Sequence, residues 1–309
     1  MDLRSLRHFL VVADELSFSL AAKRLSRSQP GLSRSIKELE SEFGIELFER
    51  VGRRIQLKPE GTHLLAQVRA LVSDADRLLQ NARQLARGQT FTLRVGGASN
   101  TLERVMPDVL RLYRKQWSSV EVLLHSEGGT GLLTALERGE LDIAIVRTTH
   151  SDLLQSKVVF PTHLVAVVGR KHRLARRRAV TVEDLEGERL LVPPSSFTSR
   201  MILDSVLNLH RVRLSIALES HDLNTLVALA EAEYGVAIAP STINLDTRSV
   251  AAMAILENGH PLGSTTSLVW LRRRKLPPHA SAFIKIASRH LSRNYPGKSL
   301  RLPPLRQIR

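Results

Sequence analysis

Residues 17 to 61, SFSLAAKRLSRSQPGLSRSIKELESEFGIELFERVGRRIQLKPEG, read as two short helices, a tight connection, a third helix with polar residues at its start, and an arginine-tipped hairpin. Phe18, Ala21, Ala22 and Leu25 fall at i, i+3, i+4 and i+7, which places them on one buried helical stripe. Ser17 is the candidate N-cap of that helix, and Ser28 that of the next. Pro30 sits in the first turn, where its missing N–H costs little, and Leu32, Ile36 and Leu39 face inward. Ser28, Gln29, Ser33, Arg34 and Lys37 are left for the outer face, and Gln and Arg carry the forked donor geometry that major-groove base edges require. Arg53 and Arg54, flanked by Gly52 and the apolar pair Ile55 and Leu57, suit a wing tip near phosphates or a minor groove. This is the layout of a winged helix-turn-helix, and it predicts a reader of double-stranded DNA.

These residues resemble the LysR-type transcriptional regulators. The family pattern is an alanine pair before a leucine, a Ser-Gln-Pro opening the recognition helix, a serine with a basic residue one turn on, and Leu-Phe-x-Arg before the wing. Here those are Ala21-Ala22 with Leu25, Ser28-Gln29-Pro30, Ser33-Arg34 and Leu47-Phe48-Glu49-Arg50. Two positions depart from it: Leu16 stands where a glycine is common, and Lys58 precedes Pro59 where a threonine usually caps the following helix.

A chain of 309 residues suggests two or three domains, and 43% hydrophobic residues suffice for substantial cores. With no cysteine there is no disulfide, thiol nucleophile or thiolate metal site. No apolar run approaches the ~20 residues of a membrane span, and the N-terminus starts directly into helix without a signal peptide, so a soluble cytoplasmic protein is expected. The net charge of +15 suggests a polyanionic partner. Yet residues 1–58 carry 11 basic and 8 acidic side chains, so most of the excess lies outside the reading head. It lies in Arg170 to Arg178, in Arg272-Arg273-Arg274-Lys275 and in the tail, where solvated loops are the plainer reading.

From Pro59 to about Arg87, Leu64, Val68, Leu71, Ala75, Leu78, Ala82 and Leu85 alternate in steps of four and three. That heptad seam predicts a long helix buried against a partner helix, with Leu64, Val68, Leu71, Leu78 and Leu85 as dimerisation residues of a homodimer or dimer of dimers. Gly88, Gln89 and Thr90 end it as a hinge. Beyond the hinge, strands and helices alternate in two series, an α/β pattern with mainly parallel pairing. This region resembles the LysR effector-binding domain, itself similar to periplasmic solute-binding proteins. The match rests on Leu132-Leu133, Leu136 and Gly139-Glu140-Leu141-Asp142-Ile143-Ala144-Ile145, and on Tyr234 to Pro240, although Glu233 stands where a glycine is usual. The expected organisation is a DNA-binding domain over 1–58, linker helix and hinge over 59–89, and an effector domain over 90–294. Lobe I then covers about 90–162 and 267–294, lobe II about 163–266, and a basic tail 295–309. Crossing segments near Thr162 and Ser267 would let the lobes close on a ligand.

In open α/β sheets ligands lie beyond the carboxyl ends of strands, where helix N-termini offer unpaired N–H groups. Here those places are Ser99-Asn100-Thr101, Gly128 to Thr130, Arg147-Thr148, Ser195 to Thr198 and His221 to Asn224. The resemblance implies that Ser99, Asn100, Thr101, Thr130 and Thr198 line the effector cleft; Asn224 lies at the same kind of strand end. Hydroxyls with Arg147 favour a small organic anion. No catalytic set is present: the eleven histidines lack metal spacing, and Gly96-Gly97 lacks the rest of a dinucleotide fingerprint. No enzyme activity, metal or cofactor is expected. The reading is therefore a metabolite-responsive transcriptional regulator, with RNA polymerase a further candidate partner. Its rivals are a nonspecific architectural DNA-binding protein, and a solute-binding or enzymatic domain whose helical head serves assembly.

Overall fold

The computed structural model describes residues 2–52, 54–86, 91–148, 151–210 and 215–305. The chain divides into two compact units, one from residues 1–91 with 134–140, the other from 92–133 with 141–309.

In the first unit, α1 (Leu3–Glu15), α2 (Phe18–Arg24) and α3 (Gln29–Phe43) precede a hairpin of β1 (Phe48–Val51) and β2 (Arg54–Leu57) and the long α4 (Pro59–Ala86). Ser17 and Ser28 cap α2 and α3 as expected and Asp2 caps α1, each accepting from the backbone N–H three residues on. Leu6, Phe9, Val12, Ala21, Ala22, Leu32, Ile36, Leu39 and Leu47 form one core, with Phe48 set against Phe9 and Phe18 at ring separations of 5.6 and 5.9 Å. Glu40 closes the turn into the wing, its Oε1 accepting from the N–H groups of Leu47 and Phe48.

The first half of α4 belongs to this core. Val68 and Val72 are buried in it, and Leu64 and Leu65 pack on it. Arg69 pairs with Asp14 and Arg7 with Asp76, tying the helix to α1. At Gly61 a Cβ would lie 2.3 Å from the Leu47 carbonyl oxygen, so only glycine lets the first turn seat this closely. The expectation that every seam residue is buried against a partner is therefore corrected for Leu64 and Val68, which the head itself covers. Leu71 and Leu78 are exposed, at 47% and 70%; the side chain of Leu85 and residues Gly88, Gln89 and Thr90 lie outside the described residues.

The second unit holds β3 (Thr92–Gly97), α5 (Ser99–Arg114), β4 (Glu121–Ser126), the start of α6 (Gly129–Glu137), whose residues from Thr134 count with the first unit, β5 (Ile143–Arg147) and the long β6 (Leu154–Gly169). Then come β7 (Ala179–Thr181), β8 (Arg189–Val192), α7 (Thr198–His210), β9 (Ser215–Glu219), α8 (Leu223–Glu231) and β10 (Val236–Pro240). Last are β11 (Val250–Glu257), β12 (His260–Pro261), β13 (Gly263–Leu271) and α9 (Pro278–Leu291). The sheet order is β4-β3-β5-β13-β6-β10-β8-β9, with β11 joining β6 to β7 and β12. Pairing is mixed rather than mainly parallel, because β6 and β13 run antiparallel to each other and to their neighbours β5, β10 and β11.

Along β6 the side chains alternate between two cores. Leu164, Ala166 and Val168 face Leu203 and Val206 of α7, while Val165 and Val167 face Leu223, Leu226, Val227 and Ala230 of α8. The other lobe packs Leu93 and Val95 of β3 against Val105 and Val109 of α5 and Phe283 and Ala287 of α9. Burial raises the Tyr113 phenol there to about 12 while its hydroxyl donates to the His279 carbonyl at 3.1 Å. Among the described residues no helix is long and apolar enough to cross a membrane.

Both positions that hold a side chain where glycine is usual fall in left-handed backbone. Leu16 has φ +46° just after α1, and Glu233 has φ +61° after α8. At the latter, Glu233 N–H bonds Ala230 and Tyr234 N–H bonds Leu229, the doubled closure that ordinarily ends on glycine. A side chain in this conformation costs about 1–2 kcal/mol, part of which glycine returns as unfolded-chain entropy. Leu16→Gly and Glu233→Gly are each expected to raise unfolding free energy by about 0.5–1 kcal/mol in urea titrations followed by circular dichroism. Unchanged or lowered midpoints for both would show that neither side chain strains its turn.

Candidate functional sites

The outward face of α3 is the first candidate site. Ser28, Gln29, Pro30, Arg34 and Lys37 are exposed and Ser33 is half-buried, while Leu32, Ile36 and Leu39 sit in the core beneath them. Arg34 pairs with Glu38 one turn on at 3.0 Å, a solvated pair that a stronger anion can displace. Gln29 has a partner that the sequence reading missed: Ser19 on α2 donates its hydroxyl to Gln29 Oε1 at 3.0 Å and holds the carbonyl end of the amide. A second missed contact lies beneath the helix, where His8 Nδ1 and Ser35 Oγ stand 2.8 Å apart. Neither could be read from periodicity, because each joins side chains on different helices. Arg53 lies outside the described residues, as does the side chain of Arg54, whose backbone belongs to β2.

At Lys58 the departure from the threonine pattern has a visible substitute. An ammonium has no lone pair with which to cap α4, and Lys58 instead pairs with Glu46 while its backbone N–H bonds Leu47.

The second candidate site lies in the other unit, at the carboxyl ends of β3, β4 and β5. Ser99 opens α5, and its hydroxyl meets that of Ser126 at 2.6 Å. Asn100 is half-buried and donates to Thr242 Oγ1 at 2.7 Å, a bond from lobe I to lobe II; Arg104 repeats the crossing to Asn244 Oδ1 at 3.1 Å. Thr101 is buried, and its backbone N–H donates to the Ala98 carbonyl at 2.9 Å. Thr130 is exposed in the first turn of α6, Arg147 is exposed at the end of β5, and Thr198 is half-buried at the start of α7. Asn224 is exposed, and the Asp222 carboxylate already occupies its backbone N–H at 3.0 Å. Ser126, Thr242 and Asn244 were not singled out from the sequence, because the strand ends that carry them meet only through the fold.

Between the lobes the crossing strands carry a chain of hydroxyls. Thr162 meets Thr266 at 2.7 Å, Thr148 meets Ser267 at 2.6 Å, and Thr265 donates to Thr148 at 2.8 Å. The pairing of β6 with β13 shifts register at Thr266/Ser267, and β6 leaves β13 for β10 at His163–Leu164.

Comparison with known proteins places both units. Residues 3–62 match the bacterial regulatory helix-turn-helix protein model of the lysR family, and residues 86–292 match the LysR substrate binding domain. This chain belongs to the LysR family. The uncharacterized HTH-type transcriptional regulator YnfL of Escherichia coli is 30% identical over 290 residues, covering 92% of this chain and 96% of that one. HTH-type transcriptional regulator CatR of Pseudomonas putida is 30% identical over 280 residues, 89% and 93% of the two chains. The fold is shared with full-length CbnR, solved in complex with its target DNA, at a TM-score of 0.57 and 23% identity over 94% and 99% of the chains. LysR-family proteins are transcriptional regulators rather than enzymes. The family match of the α/β unit also disfavours a purely architectural DNA-binding role.

His8 gives the head a pH dependence whose sign can be worked out. Burial, with Arg27 and Arg4 adding like charge, holds its imidazole below the ordinary value of 6.5. The folded head then binds fewer protons than the unfolded chain once the pH drops below 6.5. Stability from a neutral His8 is thus full above that value and is lost as pH falls through the folded-state value. Unfolding midpoints at about pH 7.5 and about pH 5.5 should diverge more in the natural chain than in His8→Asn. Parallel shifts in both would mean that His8 does not titrate with folding.

Proposed function

We propose that this LysR-family regulator reads an operator in double-stranded DNA through the exposed face of α3, as a homodimer or dimer of dimers, and responds to a small organic anion held between its lobes. The division of labour follows the expected domains: 1–58 reads, 59–89 assembles and hinges, and 90–294 senses through lobe I (about 90–162 and 267–294) and lobe II (about 163–266). A cytoplasmic location follows from that role. The observation that carries the reading is the segregation on α3, with Leu32, Ile36 and Leu39 packed below and a row of Gln29, Arg34 and Lys37 left in solvent. Ser28, Pro30 and Ser33 then fit the helix start to phosphates and bases, and Arg53 and Arg54 supply the wing. CbnR, whose fold this chain shares, is a LysR-family regulator solved in complex with its target DNA.

For the effector, Ser99, Asn100, Thr101, Thr130, Thr198 and Asn224 supply hydroxyls, an amide and helix starts, and Arg147 supplies the pairing charge. For assembly, Leu71 and Leu78 offer the exposed part of the seam, with Leu85 in line beyond them.

Three measurements test this. With an operator selected from random duplexes, Gln29→Ala and Arg34→Ala should each weaken specific binding by about 1–3 kcal/mol and relax one base-pair preference. Equal losses on operator and scrambled DNA would remove α3 from base reading. Leu71→Asp with Leu78→Asp should give monomers by sedimentation with the head still folded, whereas Val68→Asp should unfold the head by placing a charge in its core. A double variant that stays dimeric would place the interface elsewhere. In a reporter strain, Thr130→Val with Arg147→Gln should abolish the inducer response while operator affinity without inducer stays intact; a normal response would move the sensor out of the cleft.

A further inference from the structure

The matched family domain ends at residue 292, but the ordered chain continues. Residues 295–305 leave α9 in lobe I and cross to lobe II over the strands that join them. Tyr295 stacks on Phe160 at 6.3 Å with the rings 6° from parallel, against the lobe I core. Gly297 takes φ +81°, and a Cβ there would lie 2.6 Å from the Ser241 carbonyl oxygen. After a 3-10 turn over Lys298–Leu300, Leu302 packs on the lobe II core that contains Val165, Leu223 and Ile243. The Pro303 carbonyl accepts from Nε2 of the buried His163 at 2.7 Å, and Leu305 reaches Gly263 of β13.

What this segment presses on is the turn after β10. Ser241 is locked to His163 in both directions: its N–H donates to the His163 carbonyl at 2.8 Å, and its hydroxyl accepts the His163 N–H at 3.0 Å. The next residue, Thr242, receives the Asn100 bond from lobe I, and Asn244 receives that of Arg104. One short turn thus carries the strap on one side and both cross-lobe bonds on the other.

We propose that residues 295–305 are a positioning strap: anchored in both lobes, they clamp the Ser241–Thr242 turn, keep the Asn100–Thr242 latch closed, and set how far the cleft stands open before any effector arrives. The inference rests on the cleft between the lobes being the sensor. Removing the strap exposes Phe160 and the Leu302 seat and leaves the His163 donor without its carbonyl, so the turn gains freedom to carry Thr242 away from Asn100.

The absence of cysteine makes the test direct. Spin labels on Gln116→Cys in lobe I and Glu186→Cys in lobe II, both exposed, report the inter-lobe distance in the full-length protein without effector or DNA. Truncation after Asn294 and Gly297→Val should each add a second, longer-distance population, and Thr242→Val should reproduce it with the strap intact. A folded Gly297→Val chain with the distance distribution of the natural protein overturns the strap. A shift on truncation that Thr242→Val does not reproduce overturns the latch as its route. Because no inducer enters the measurement, failure of the cleft as sensor appears separately, as a normal reporter response in Thr130→Val with Arg147→Gln.

Discussion

The antiparallel pair of β6 and β13 is the constraint on which the second unit depends. Strand β6 pairs with β13 over its first half and with β10 and β11 over its second, so the core on Phe283 and Tyr113 and the cores on the two faces of β6, at Val165 and at Val168, are hydrogen-bonded parts of one continuous sheet. Relative motion of the lobes therefore has to be taken up where the ladder is already irregular. That place is marked by the register shift at Thr266/Ser267 and by hydroxyl pairs rather than interlocked apolar side chains. Hydroxyls rotate to new partners at small cost, whereas a packed core resists displacement. Buried Ser267 and Thr266 are thus compatible with a stable protein because they find each other's neighbours, and they are also what makes the crossing deformable.

The reading head was legible because its signals are local. Caps, the i, i+3, i+4 stripe and the Ser-Gln-Pro opening all lie within one or two turns of the residues they act on, and the structure shows each cap bond. The seam of α4 was legible as a helix and misread in its packing. Steps of four and three describe a face, but they do not say whose core covers it; Val68 and Val72, four apart, turn the first turns toward α1 while Leu71 and Leu78 point away. Strand β11 is not legible locally: Val-Ala-Ala-Met-Ala-Ile-Leu-Glu has the composition of a helix, and only pairing with β6 and β7 makes it a strand. The first half of β6 likewise depends on its non-local pairing with β13. In the cleft, Ser99 and Asn100 could be read from their place after a strand, whereas Thr242 and Asn244 could not, since their role depends on a lobe about 140 residues away in sequence.

Charge follows a similar logic. The basic side chains of lobe II are equalled in number by its acidic ones, and several pair within it: Arg173 with Glu188, Arg177 with Asp184, Arg200 with Asp204 and Glu219, and Arg248 with Asp246. Such solvated pairs add little stability each, and since each joins one charge of either sign they leave the net charge of +15 as it is. Arg274 is different in kind. It bonds the buried Asp142 carboxylate at 2.6 Å, whose other oxygen accepts the Arg94 N–H, so this basic run contributes an internal strut to lobe I.

Because the first turns of α4 are built into the head, head and helix move as one body. A helix of 28 residues is about 42 Å long at 1.5 Å per residue. Fixed at one end in the core of Phe9 and Leu47, it behaves as a lever whose short arm is the recognition surface. A tilt of about 5° imposed at its far end sweeps the head through about 3.7 Å, close to the ~3.4 Å rise of one base pair. Angular changes too small to disturb any side-chain packing are therefore large enough to move the reading surface by a whole step along the duplex.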